Sequence, residues 1–297
     1  MPSRRAILPQ VGPADTLEGD MEIDQHVRTI SGYRTFYQAA GEGRPLVLVH
    51  GIGGSSINYA ENIEALAQHF RVYAVDIPGH GRSEKPDIEY EVESAVPFIA
   101  AFIRDICGEP AALVGMSAGG LMCALTAEAH PDLVTHLVLV SSAGLGRDVS
   151  MALRLLTLPV TWPMIESTRP TPAGVRLSMR RVVHDPACLT DEMVALLCED
   201  RARPGAVRAM LRALRSNVGV LGVKRWRRHL RALRRVGAPV MIIWGRQDRL
   251  IPVSHAYRAW RRLGKRARLH ILDGCGHWPP FERPAEFNQL VLDFVRT

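Results

Sequence analysis

An α/β fold is the class this chain predicts: a mostly parallel, open sheet flanked by helices, interrupted by an inserted all-helical cap. Short apolar runs alternate with longer stretches of helical period, the pattern of strands covered on both faces and joined by crossover helices. The alternation stops near residue 146 and resumes near 235. Between those points strand-like runs vanish, and helical patterns are punctuated by Pro159, Pro163, Pro170, Pro172, Pro186 and Pro204. At 297 residues and 47% hydrophobic, the chain can build one large core with an inserted subdomain.

The elements follow in order. Residues 1–20, rich in Pro, Gly and acidic side chains, predict a loose arm. Residues 21–43 predict a leading hairpin with Ser31-Gly32 as its turn. Continuous apolar runs predict strands at Pro45–Val49, Arg71–Val75, Ala111–Val114, His136–Val140, Pro239–Trp244 and Arg268–Leu272. Helical periods predict helices near 58–69, 92–107, 118–130, 254–263 and 284–296. The expected division is therefore an arm (1–20), a first part of the core (21–145), the cap (146–235) and a second part of the core (236–297).

Charge and cysteines narrow the class of partner. The formal charge is +7, from 37 Lys and Arg against 30 Asp and Glu. Much of the excess falls in Lys224–Arg235, where Trp226, Leu230 and Leu233 recur at helical spacing. That pattern predicts a solvated basic helix face over a buried stripe, and no nucleic-acid motif accompanies it. The five cysteines, Cys107, Cys123, Cys188, Cys198 and Cys275, are scattered and form no CxxC, so neither a disulfide framework nor a zinc site is expected. The basic N-terminus develops no signal-peptide core, and no apolar run approaches the roughly 20 residues that span a bilayer. The expectation is a cytoplasmic protein, and a homodimer is compatible with it.

The stretch Gly115-Met116-Ser117-Ala118-Gly119 lies between a predicted strand and a predicted helix. Small residues on both sides of Ser117 allow a sharp turn that lifts its hydroxyl out of the sheet edge. The same turn sets the Ala118 amide at a helix N-terminus, where developing negative charge is stabilised. A serine nucleophile needs a base, and the base needs an orienting acid. His277 follows the last predicted strand and Asp248 the one before it. Both therefore fall at C-terminal strand ends, where open α/β sheets carry their sites. The order Ser117, Asp248, His277 is the order of the strand–turn–helix nucleophile type. The glycine-rich turn His50-Gly51-Ile52-Gly53-Gly54 offers a second oxyanion amide, from Ile52 or Gly53. Gly51 and Met116 adjoin these amides and are expected substrate contacts.

These residues, with Asp76-Ile77-Pro78-Gly79-His80-Gly81-Arg82-Ser83 in the following loop, make the chain resemble the α/β-hydrolase superfamily from about residue 25 onward. The resemblance implies neither metal nor organic cofactor, and the sequence carries no HExxH and no phosphate-binding P-loop. Trp244–Arg249, Cys275–Trp278 and Glu286–Asn288 are similar to meta-cleavage product hydrolases, which cleave carbon–carbon bonds in vinylogous diketo acids. Asn58 and Trp278 match positions lining the substrate site of that group, although each can be read structurally, as a helix cap and as packing under the His277 loop. That group also has a cap arginine at the place Leu197 takes here; Arg201, one turn further along and about 6 Å away by helical rise, is the candidate substrate contact in its stead. The displaced arginine favours hydrolysis of small carboxylic esters, with carbon–carbon hydrolysis as the alternative. A ligand-binding receptor with a hydrolase pocket is the non-enzymatic reading, against which the complete Ser117, Asp248 and His277 set argues.

Overall fold

The structure is a computed structural model, and it describes residues 22–296. The predicted arm at 1–20 lies outside the described residues. Ten strands are present among them: β1 (Asp24–Ile30), β2 (Tyr33–Ala40), β3 (Pro45–Val49), β4 (Arg71–Val75), β5 (Ala111–Met116), β6 (Val134–Val140), β7 (Val218–Gly219), β8 (Gly222–Val223), β9 (Val240–Gly245) and β10 (Ala267–Leu272). Eight form one sheet in the order β1-β2-β4-β3-β5-β6-β9-β10. β1 and β2 pair antiparallel, β2 meets β4 antiparallel, and every later pairing is parallel.

Strands β3, β5 and β9 are buried at every residue, as expected of parallel strands covered on both faces. The β1–β2 turn falls at Ser31 and Gly32, both with positive φ, the geometry that matches a hairpin's twist. Helices Ala95–Phe102, Ala118–Ala129, Ser254–Leu263 and Pro284–Val295 occupy predicted positions. The helix expected at 58–69 is shorter. A 3-10 turn at Ser56–Tyr59 comes first, and the α-helix runs only over Ile63–Ala67. The Ala60 and Asn62 amides donate three residues back, to Ile57 and Tyr59, so the chain stays tight there before the helix begins.

Between β6 and β9 the chain forms mainly helices, including Pro172–Met179, Asp191–Ala202, Ala206–Asn217 and Trp226–Ala232. The expectation of an all-helical insertion is corrected by β7 and β8, which pair antiparallel. Gly222 takes a φ of +109, and Val223 N–H donates to Arg147 O (2.8 Å), so a glycine-permitted turn and a backbone bond fix a short hairpin where helix could have continued. In the basic segment Leu230 and Leu233 are buried and Trp226 is half-buried between the Arg227 and Arg258 guanidinium groups. Arg225 pairs with Glu91 and Glu93, and Arg235 with Glu128. Around Trp226, Arg225, Arg227 and Arg258 line a surface cleft of about 580 Å³ that contains none of Ser117, Asp248 or His277.

Candidate active site

The sheet order makes β3 a switch point: the chain moves to β4 on one side and to β5 on the other. Ligand crevices of open α/β sheets form beyond the carboxyl ends of such strands. Here the loops after β3 and β5 bring Gly51 and Ser117 together. A Cβ on Gly51 would stand 2.8 Å from Ser117 Cβ, so only glycine fits. Ser117 has φ +55 and ψ −120, a strained conformation for a non-glycine residue. It is held there by two backbone bonds, Ser117 N–H to Val140 O and Ala143 N–H to Ser117 O, each 2.8 Å. Gly115 and Gly119 are required for the same reason. A Cβ on Gly115 would collide with the Gly119 backbone, and one on Gly119 with the carbonyls of Val49 and His50.

Asp248 follows β9 and His277 follows β10, the sheet's edge strand. The His277 loop must therefore cross back over the end of β9. Gly245 makes this crossing feasible, since a side chain there would strike the Cys275 and Gly276 carbonyls. Gln247 N–H then donates to Cys275 O (2.9 Å), and Cys275 N–H donates to Gln247 Oε1 (3.1 Å). Asp248, fully buried, accepts from the Leu250 and Ile251 amides through Oδ1 and from His277 Nδ1 through Oδ2 at 2.7 Å. That bond fixes the tautomer and leaves His277 Nε2 as the free ring nitrogen. Ser117 and His277 line one cavity but are not hydrogen-bonded to each other; such contacts are often looser before substrate binds.

Two amides stand beside Ser117. Ala118 opens helix Ala118–Ala129, so its N–H has no helical acceptor. The turn after β3 presents Ile52 and Gly53, while the Gly54 amide is engaged by Gly51 O (3.1 Å). His50 braces this turn. Its Nε2 accepts from Ile77 N–H (3.1 Å), so Nδ1 donates to Gly51 O (2.8 Å). Burial pushes the His50 imidazole down to about 4, keeping it neutral, while the Gly51 bond and Asp200 pull the other way. His80, packed 5.0 Å from it, is lowered to about 3 by burial and by His50. Asp76 is raised to about 6 by burial, against the bonds it accepts from Arg82 N–H (2.7 Å) and Ser56 N–H (2.6 Å).

The cavity has a volume of about 190 Å³. Gly51, Ile52, Gly53, Asn58, Met116, Ser117, Ala118, Arg201 and His277 all line it. Asn58 combines both expectations: it faces the cavity, and its Oδ1 accepts from Ser55 N–H (2.8 Å). Trp278 is corrected as a substrate contact. It is fully buried, stacks on Phe281, and donates its indole N–H to Asn58 O (2.9 Å), beneath the wall and not on it. Arg201 and Leu197 line the same cavity, so the turn of helix between them does not remove the guanidinium from the wall. Arg201 Nη1 donates to Ser178 Oγ (2.7 Å), its Nε is buried without a partner, and burial lowers its pKa.

Several contributors escaped sequence reasoning. Glu282 accepts from the Gly276, Trp278 and His184 amides and so shapes the His277 loop. Asp200 of the insertion accepts from Ser55 Oγ (2.5 Å) next to the oxyanion turn. Asn217 grips the core through Val92 N–H and Tyr90 O, and His229 lies 3.0 Å from Glu93. The i+3 spacing of Asn58 from Ser55 was a capping signal open to sequence reading, whereas the other contacts had none.

Comparison with known proteins agrees with this architecture. Residues 46–290 match the alpha/beta hydrolase family. The chain is 32% identical over 286 residues to an uncharacterized protein of Mycobacterium tuberculosis, covering 91% of this chain and 80% of that protein. It is 30% identical over 271 residues to the 2-hydroxy-6-oxo-6-(2'-aminophenyl)hexa-2,4-dienoic acid hydrolase of Metapseudomonas resinovorans, covering 89% of this chain and 88% of the relative. Among solved structures, a meta-cleavage product hydrolase from Pseudomonas fluorescens superposes with a TM-score of 0.77 at 29% identity, over 91% of this chain and 97% of that one. The chain belongs to the alpha/beta hydrolase family. It is an enzyme of the hydrolase class, and it is similar in sequence and in fold to meta-cleavage product hydrolases.

Proposed function

We propose that this enzyme hydrolyses a carbon–carbon bond in a small vinylogous keto acid, with Ser117 as nucleophile, His277 as general base and Asp248 as the acid that orients and stabilises the imidazolium. The observation that carries this reading is Arg201: a guanidinium in the wall of the cavity that holds Ser117 and His277, with no carboxylate partner. A half-buried cation with only a hydroxyl and a thioether for company is matched to an anionic substrate group, which it can bind through charge-assisted bonds. This reverses the preference for esters drawn from the sequence, which assumed that one helical turn would carry the guanidinium out of reach.

Ser117 Oγ attacks the ketone carbonyl as His277 Nε2 takes its proton. The oxyanion is held by the Ala118 amide and by that of Ile52 or Gly53. Collapse expels the vinylogous fragment, whose electron pair is delocalised into its own conjugated carbonyl, and His277 returns a proton to it. Water activated by His277 then releases the acyl group from Ser117. The volume of about 190 Å³ suits a ring-sized apolar group next to a short acid. The insertion serves as a cap over this site, and a cytoplasmic location fits the five cysteines, all unpaired.

The test is kcat/KM for an aromatic ring-fission product and for a short-chain aryl ester. The ring-fission product should be preferred, and Arg201→Ala should lower its turnover by about 10- to 200-fold, the scale of one pocket contact. Preference for the ester, untouched by Arg201→Ala, would reject the carbon–carbon reading.

A further inference from the structure

The cavity wall divides between the two apolar clusters of the core. Met116, Met179 and Leu197 belong to one; Leu121, Leu214 and Val223 belong to the other. Ser117 lies where they meet, since Met116 before it packs in the first cluster and Ala118 after it in the second. Substrate bound at Ser117 would meet both sides of this wall, the two lobes of the site. Among the described residues, two side chains of the wall carry a buried polar atom with no hydrogen-bond partner: Arg201 Nε in the first lobe and His229 Nδ1. His229 is only 3% exposed and comes from helix Trp226–Ala232, whose neighbouring Leu230 packs in the second cluster.

The chemistry of the His229 ring follows from its other edge. Nε2 lies 3.0 Å from Glu93 Oε1, and a carboxylate only accepts, so Nε2 carries the proton. The same oxygen is 3.2 Å from Arg225 Nε, a guanidinium that Glu93 shares with Glu91. With the proton of the neutral ring on Nε2, the lone pair lies on Nδ1. A buried acceptor is costly to leave unmade, and the lobe around it is otherwise aliphatic apart from Asn217, whose amide is engaged by Val92 N–H and by the Tyr90 and Ala213 carbonyls.

We propose that His229 is a specificity-determining residue whose Nδ1 accepts a hydrogen bond from a hydroxyl on the ring-sized group that fills the second lobe. The substrate class would then be a hydroxylated aromatic or cyclic carbonyl compound with its carboxylate at the opposite, Arg201 end. This rests on the cavity being the substrate site of the hydrolase, and deepens that reading.

Binding to Ser117→Ala protein tests it without depending on catalysis. The probes are 3-phenylpropanoate and its three ring-hydroxylated isomers, with affinities measured by titration calorimetry. At least one isomer should bind about tenfold or more tightly than the parent acid, the scale of one well-made buried hydrogen bond. Replacing the acceptor, as His229→Phe with Glu93→Gln in the same background, should bring that ratio to within about twofold. All four affinities within about threefold, no binding by any of the four, or a ratio that survives the replacement would each overturn the proposal. Should the replaced protein not fold, the comparison of the four acids on the Ser117→Ala protein decides alone. Loss of the hydrolase reading would show separately, as full activity retained by Ser117→Ala.

Discussion

The sheet and the insertion between β6 and β9 are held together by different forces. The sheet positions its side chains through backbone: parallel strands buried at every residue, glycines where two backbones touch, and amide-to-carbonyl bonds that fix Ser117 and the loops of Asp248 and His277. The insertion is attached to the core chiefly through side chains, Asp200 to Ser55, Asn217 to the Tyr90–Val92 backbone and His229 to Glu93, with backbone bonds, among the described residues, only where His277 N–H donates to Val182 O (2.7 Å) and Ser150 N–H to Leu250 O (2.8 Å) near its edges. It also exposes Met151, Leu155, Val160, Met164 and Leu221, each more than half accessible. Backbone placement holds geometry to the tolerance that chemistry needs, while side-chain latches can be re-cut to admit a different substrate. On the proposed function, the core would carry the reaction and the insertion would choose what enters.

The largest effect that would sharpen this contrast is loss of the orienting pair. Asp248→Asn and His277→Ala should each leave a folded enzyme with kcat reduced on the order of 10⁴-fold or more, and the double variant should be little worse than either. Steady-state kinetics with circular dichroism checks both halves of the statement. Next comes the backbone packing itself. Gly119→Ala would drive a methyl into the Val49 and His50 carbonyls and should cost about 3 kcal/mol or more in urea unfolding. An equivalent change at Gly237, which has nothing within 4 Å, should cost under about 1 kcal/mol.

Acid should undo the core through its buried histidines. His50 and His255 are lowered to about 4 and His80 to about 3, chiefly by burial, so the unfolded chain binds three more protons at these sites as pH falls below 6.5. Asp76, raised to about 6, binds one more proton in the folded state over part of that window. The net is two, so stability is full above about pH 6.5 and falls between about 6 and 4 by roughly 3 kcal/mol per pH unit. Denaturation midpoints across this range test it; a flat profile would mean these rings are hydrated. The smallest effect belongs to the latch: Ser55→Ala removes the bond to Asp200 and the long cap bond from Ile57 N–H (3.4 Å), and should cost on the order of 1 kcal/mol, with KM altered more than kcat.

The contrast also governs what was legible in the sequence. The central strands are continuous apolar runs, and the convergence of Ser117, Asp248 and His277 follows from each standing at the C-terminal end of a strand in one sheet. Local patterns suffice for both. The latches were illegible because Ser55 and Asp200 lie 145 residues apart, Val92 and Asn217 125, and Glu93 and His229 136, and no period links such pairs. Trp278 was open between two roles because an aromatic after a catalytic loop can face either way; its bond to Asn58 O turns it inward. The place of Arg201 was illegible because helical rise counts distance along an axis and ignores the reach of a long side chain, which lines the same cavity as Leu197.

The most direct test of the division between core and insertion is the ratio of kcat/KM for a ring-fission product and an aryl ester, measured in the unmodified enzyme, Ser117→Ala and Arg201→Ala. The account predicts that Ser117→Ala loses both activities together by about 10⁴-fold or more, whereas Arg201→Ala lowers the ring-fission activity about 10- to 200-fold and the ester activity far less, so that only Arg201→Ala shifts the ratio. A well-folded Ser117→Ala retaining a tenth of either activity, or an Arg201→Ala that abolishes both alike, would contradict it.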